Sequence, residues 1–474
     1  MICRQQYFLK ENENVSIYYK IFNGGAIMKA YKKIAATVLS LVMAGSAFAF
    51  AGCGSGDDSG DTDEVKVVRI WVHKSAAEDE GMVYQALADQ FNAEDFKTED
   101  GRDIQVRLEF KNSPDVLQNS INAEVVAGGL PDIVAVDAPN IAAYAQSRIL
   151  VDISDYISEE SLNDYVDSVV EQSTIDGGLY ALSGQDAPVG LYYNKDLLSQ
   201  VGYTDEDYGT LENPWTWQDV QEAMQKLKEA GLEYKINLRT GFGGDEGNMY
   251  LYSSLVYSAG GSFCDADGNT TGYLNSEKSV NGIKSLEWFF SGSDAEPWYY
   301  SGSNADAFPQ ELVAFEVYGP WEIENINSTY SSFADSYGIM PMPVYYDGTT
   351  KGTVAAGCGS WGFGVTRNAK DVQAAATVVE YFTSAESSEM MYSAIGTFPT
   401  HKSSYESNED FADGPLASLA EIMEEAATPR PKTSNYAKIT TAFANVIEYI
   451  QVSYGNSDYN LQAYIDQQAA TADA

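Results

Sequence analysis

Apolar positions recur along this chain with two alternating periods. Val65 to Val72 is a nearly continuous apolar run and predicts a β-strand, and Glu80 to Phe91 spaces its apolar residues as an amphipathic helix does. Ile104 to Phe110 predicts a second strand, Asp115 to Ala127 a helix, and Asp132 to Val136 a short buried strand. Strands that alternate with helices predict a parallel sheet with ligand-binding loops at the strand C-termini. The alternation continues with a helix over Trp217 to Ala230 introduced by Pro214, an apolar and aromatic stretch from Met249 to Ser258, and a helix over Ser276 to Phe290. Val313 to Val317 predicts a strand running into Gly319-Pro320-Trp321, where a new helix starts. Gly338 to Met342 predicts another strand, and a Gly-rich loop from Gly357 to Thr366 leads into one more. Helices are predicted over Asp371 to Thr383 and Tyr436 to Val452, and no internal repeat is found.

The first 64 residues do not share this pattern. From Met28, the basic residues Lys29, Lys32 and Lys33 precede an apolar run from Ile34 to Phe50, followed by Ala51, Gly52 and Cys53, which is the layout of a secretion signal. The run is shorter than the roughly 20 residues of a bilayer-spanning helix. Phe50-Ala51-Gly52-Cys53 resembles the bacterial lipobox, with Phe50 where Leu is usual, and that resemblance implies lipidation of Cys53. Residues 1–27 carry Glu11 and Glu13 and fit no targeting pattern, so they read as an over-called start, with 28–52 as the signal peptide. Residues 53–64 form a Gly/Ser/Asp tether. About 410 residues follow, more than one typical domain, and two lobes are expected.

Charge narrows the partners. Without residues 1–52 the chain holds 22 basic against 67 acidic side chains, spread along its length. Such a field repels nucleic-acid phosphates, and no nucleic-acid partner is expected. Cys264 and Cys358 are the cysteines left after Cys53, enough for one disulfide at most, although their contexts point to different parts of the fold.

Enzyme signatures are lacking. The chain has no Gly-Lys dipeptide and therefore no Walker-A loop, no G-x-S-x-G elbow and no H-E-x-x-H helix. With two histidines, His73 and His401, a histidine-based metal centre is not expected and no cofactor is, while a carboxylate-rich metal site stays open. Asp265 to Asn269 resembles a calcium loop, but Thr270 and Thr271 stand where that pattern continues differently, so a hairpin turn is the better reading. Acid pairs such as Asp186 with Glu78 or Asp137 arise by chance in so acidic a chain. What stands out is aromatics beside glycine, proline and polar groups, among them Tyr250, Tyr252, Trp321 and Trp361. Sugar C–H faces stack on aromatic rings while their hydroxyls need fixed polar partners, so this composition suits a saccharide site. Core packing is the competing account for any one of these rings, and Trp217, at a helix start, is assigned to it.

The segment Gly129-Leu130-Pro131-Asp132-Ile133-Val134 resembles the G-x-P-D-[IV] stretch of family 1 extracellular solute-binding proteins, the maltose-binding-protein-like receptors of ABC importers. Further marks follow in family order: Tyr193-Asn194-Lys195-Asp196, Pro214-Trp215-Thr216-Trp217, Ala259-Gly260-Gly261, Gly319-Pro320-Trp321 and Phe398-Pro399. The resemblance implies an α/β, two-lobed periplasmic-binding-protein-like fold of type II, with hinge crossings and ligand in the cleft. It implies an N-terminal lobe of 65–186 plus about 355–404 and a C-terminal lobe of 187–354 plus about 405–474. It also implies ligand contacts from His73, Lys74 and Glu78 after the first strand, Asp137 and Asn140 after the third, and Asp186 at a crossing. Tyr250, Tyr252, Trp321, Ser360, Trp361 and Arg430 complete the expected set. Val136 stands where maltose receptors carry an aromatic, which argues against a maltodextrin. The implied function is carbohydrate capture without catalysis by a monomer that delivers to the transmembrane subunits of an ABC permease. The competing classes are an exported polysaccharide-degrading enzyme and the same fold binding another solute.

Overall fold

The computed structural model describes residues 61–62, 64–232, 235–242, 244–291, 298–359 and 361–474. The expected signal, Cys53, most of the tether and Ser360 lie outside the described residues. Strand β1 (Val65–Val72) leads into helix α1 (Asp79–Ala93), β2 (Asp103–Phe110), α2 (Pro114–Ala127) and β3 (Ile133–Asp137). Local sequence explains the boundaries. Ser113 caps α2 by accepting from the Val116 N–H at 3.2 Å, and Gly128 ends it at a φ of 84°. The first sheet has the order β2-β1-β3-β10-β4, where β4 is Leu182–Ser183 and β10 is Trp361–Val365.

The expected parallel sheet holds for β2, β1 and β3 only. β10 runs antiparallel to both β3 and β4, and the reason is topological. A βαβ crossover enforces parallel strands, whereas β10 enters from the far side after a long excursion. That excursion builds a second sheet, ordered β8-β5-β7-β6, from β5 (Gly190–Asn194), β6 (Lys235–Asn237), β7 (Val313–Tyr318) and β8 (Tyr337–Met340). Only β6 and β7 pair in parallel there. Helix α3 (Trp217–Glu229) opens on a capping box between Thr216 and Asp219, and Trp217 is 1% exposed, in the core as expected. Ser276 to Phe290, expected as one helix, is an α-helical Glu277–Ile283 followed by a 3-10 turn over Lys284–Phe290.

One apolar cluster packs Ile70, Tyr84, Val134 and Phe363 about the first sheet, and another packs Trp217, Leu251, Phe315 and Phe443 beside the second. Chain passes join the two sheets between β4 and β5, between β8 and β10, and after helix α7 (Ala385–Ile395), which follows α6 (Val372–Phe382). On these passes, β9 (Ala356–Gly357) pairs in parallel with β11 (Ala427–Thr428). Among the described residues no helix is long and apolar enough to cross a membrane. Cys264 and Cys358 are free thiols. Asp265 accepts from the N–H groups of Asp267 and Asn269, closing the expected turn.

Candidate ligand-binding cleft

A cavity of about 660 Å³ opens where loops at the ends of both sheets meet the crossing segments. One wall grows from β1. The chain turns through Ser75, whose N–H donates to Glu78 Oε2 at 2.7 Å, and enters α1 with acids in its first turn, where the helix dipole favours them. Glu80 is buried and holds four partners: the Tyr84 hydroxyl donates to it at 2.7 Å, Gln185 Nε2 at 2.9 Å, and His73 Nε2 and Lys74 Nζ each lie 3.2 Å away. Burial alone would push its carboxyl up, but His73, Lys74 and Tyr84 outweigh it and hold it down at about 2. Trp361, first residue of β10, stacks on His73 at 3.7 Å between centroids and lines the cavity.

The opposite wall is a stack of rings. Trp321 opens helix α5 (Trp321–Thr329), and its ring lies 5.8 Å from Phe242 and 6.0 Å from Tyr250, at 26° and 27°. Gly319 lets the ring lie there, because a Cβ at that position would come within 2.5 Å of the indole and displace it. Tyr250 belongs to helix α4 (Gly244–Ser258), and its hydroxyl donates to the Ala187 carbonyl at 2.8 Å.

Arg430 lies between these walls. Its Nη2 donates to Asp137 Oδ1 at 3.0 Å, and its Nη1 donates to Glu246 on α4. Burial works against the guanidinium charge, yet Asp137 and Glu246 together raise its pKa well above the ordinary value. Glu246 is pushed up by burial and by Asp137 and pulled down by Arg430, with a net rise. Gly359 passes under Arg430 at a φ of 131°, and any side chain there would strike the guanidinium.

Seven of the residues expected at a ligand line this cavity: Lys74, Glu78, Asp137, Tyr250, Trp321, Trp361 and Arg430. Four are placed elsewhere. His73 is fully buried behind Trp361. Asn140 borders a separate crevice of about 10 Å³, room for no more than a water. Asp186 is also fully buried: its Oδ1 accepts from the N–H groups of Ala187 and Gly359, both at 2.7 Å, its Oδ2 from Gln172 at 3.0 Å, and its backbone pairs with Phe398. It ties crossing segments together under the cavity floor. Tyr252 points into the core, and its hydroxyl donates to the Leu238 carbonyl. Two residues on from Tyr250 on a helix is a rotation of about 200°, so the pair cannot share a face.

Sequence reading overlooked Asp79, Glu80, Gln185, Phe242, Glu246 and Thr397. Glu246 had a usable signal, four residues before Tyr250 on one helix face. Phe242 satisfies the criterion used elsewhere, an aromatic beside glycines.

Among the described residues no group of three or more His, Cys, Asp or Glu side chains could hold a metal ion. Comparison with known proteins agrees with the architecture. The chain is 23% identical over 408 residues to the maltodextrin-binding protein MdxE of Bacillus subtilis, covering 85% of this chain and 89% of that one. It is 26% identical to the maltotriose-binding protein of Pyrococcus abyssi, over 62% of this chain and 55% of the relative. The fold matches the crystal structure of the cyclic alpha-maltosyl-1,6-maltose binding protein from Arthrobacter globiformis with a TM-score of 0.69 and 21% identity, covering 86% of this chain and 98% of that one. It matches the sugar-binding protein MalE from Xanthomonas citri with a TM-score of 0.70 and 17% identity, over 86% and 96%. Residues 76–389 match the profile of the bacterial extracellular solute-binding proteins, and the chain belongs to that family.

Proposed function

We propose that this protein captures a neutral saccharide in the cleft and presents it to the transmembrane subunits of an ABC importer, held at the outer face of the membrane through a lipid on Cys53. The observation that carries the reading is the pair of aromatic walls, Trp321 with Phe242 and Tyr250 on one side and Trp361 on the other, across a cavity edged by carboxylates. Rings offer flat apolar faces to sugar C–H groups, and fixed carboxylates accept from sugar hydroxyls. The names of the relatives, maltodextrin- and maltotriose-binding, support a neutral saccharide, and Val136, where maltose receptors carry an aromatic, widens the choice beyond maltodextrins. Lys74, Glu78, Asp137, Tyr250, Trp321, Trp361 and Arg430 are the proposed contacts. Binding proceeds without chemistry, and closure about the crossings signals occupancy, because ligand favours the closed state through the contacts it adds there.

Melting the protein against a panel of neutral mono- and oligosaccharides, maltotriose and maltotetraose included, tests the reading. A ligand at one hundred times its dissociation constant adds about 2.7 kcal/mol of stability. A panel that leaves the melting temperature unmoved contradicts it, and new reducing ends on incubation with glycans would point to an enzyme instead.

A further inference from the structure

Trp321 is held in its wall by groups that lie behind the cavity. Tyr318 stands edge-on to both Trp321 and Phe242, 5.2 Å from each. The Arg239 guanidinium lies 3.9 Å over the Tyr318 ring. Its Nε donates to Glu316 Oε1 at 2.9 Å, its Nη2 donates to the Ala305 carbonyl at 2.7 Å, and Glu322 Oε2 is 3.9 Å away. Arg239 itself sits at a φ of 50°, a conformation that a non-glycine side chain keeps only when its surroundings hold it there. The Phe242 N–H donates to the Arg239 carbonyl at 2.9 Å, so the turn that carries Phe242 starts from this residue. None of Arg239, Glu316 and Glu322 lines the cavity.

We infer that Arg239, clamped between Tyr318 and the Glu316–Glu322 pair, is the positioning residue of the aromatic wall, setting the Phe242 and Trp321 rings without touching ligand. It rests on the reading of that wall as the saccharide platform. One guanidinium serves two buried carboxyl groups, and Glu316 Oε2 and Glu322 Oε1 have no hydrogen-bond partner among the described residues. Asn237 Nδ2 donates to Glu316 at 2.6 Å, and Asp306, Tyr192, Tyr318 and Tyr337 are the other titratable groups that face the pair. Burial, opposed by Arg239, pushes Glu316 up to about 8 and Glu322 up to about 7. Below these values both carboxyls are protonated and neutral. As pH rises through these values both carboxyls ionise, and the charge around Arg239 changes directly behind the wall.

Subtracting the emission of Trp321→Phe from that of the unaltered protein isolates Trp321. From about pH 6 to about pH 9 the difference should titrate with a midpoint between the two values, and Glu316→Gln with Glu322→Gln should abolish the titration. In Arg239→Met the Trp321 emission should shift to the red and acrylamide should quench it more strongly. A buried pair with a merely structural role would lower the melting temperature of Arg239→Met and leave the Trp321 signal alone. A flat difference across the pH range overturns the inference, as does unchanged Trp321 quenching in a folded Arg239→Met protein. The unaltered protein and Trp321→Phe suffice for the titration where other variants do not fold. Both readouts are taken without sugar, so failure of the saccharide reading is seen separately, in the melting panel.

Discussion

Trp321 is the residue on which recognition turns. Its ring is half-buried, lies 5.8 Å from Phe242 and 6.0 Å from Tyr250, and faces the cavity. Truncation to alanine removes a preorganised face, and binding of the saccharide selected by the melting panel should weaken by about 1 to 3 kcal/mol, read by calorimetry. Arg430 acts differently, as an ion bridge between Asp137 and Glu246. Arg430→Met leaves both carboxylates without their shared partner. The expected loss of stability lies toward the low end of the roughly 3 to 5 kcal/mol seen when a buried pair loses one member, because Asp137 and Glu246 are partly exposed and water screens them. Chemical denaturation measures it.

At the scale of elements, the crossing after α7 carries a histidine that ties pH to stability. His401 is buried, its ring lies 4.1 Å from that of Tyr165, and burial depresses its pKa to about 4 despite Asp164 nearby. A histidine kept neutral in the fold favours folding above its unfolded pKa of about 6.5 and loses that contribution as pH falls toward 4. The loss is on the order of 3 kcal/mol, and His401→Gln should flatten the acid limb of a denaturation series between those two pH values. Helix α4 gives a second contrast. Tyr252→Phe removes a core hydrogen bond to Leu238 and should cost about 1 kcal/mol of stability while retaining most saccharide affinity. That helix also shows where sequence reading stops. Its apolar and aromatic character was evident, yet without a firm helical phase Tyr250 and Tyr252 counted alike, and the rotation between them sends one to the cleft and the other to the core. The strands β1 and β3 could be read because buried parallel strands are nearly continuous apolar runs, and β2, at the sheet edge, because its apolar residues alternate with exposed polar ones. The antiparallel insertion of β10 could not, since it depends on a return from the second sheet. Asp186 was found as a crossing residue, but its burial follows from three segments meeting there, which no local pattern records.

At the scale of the molecule, the formal charge of −41 and the cleft agree in sign. Glu78, Asp79, Glu80, Asp137 and Glu246 line the cavity, while Lys74 and Arg430 are already bound to Glu80, Asp137 and Glu246. An anionic sugar would meet repulsion and no available cation among the described lining residues. Uronic-acid oligosaccharides should therefore leave the melting temperature unchanged where neutral ones of equal length raise it, with the difference shrinking as salt screens the field.

The two aromatic walls are the proposed seat of the saccharide. Calorimetric titration of maltotriose and the other neutral panel saccharides into the unaltered protein and into a Trp321→Ala, Trp361→Ala double variant tests that placement most directly. Saturable binding with a negative heat-capacity change is expected for at least one saccharide, and its loss in the folded double variant. Equal affinity in both proteins, or no heat from any saccharide, would contradict it.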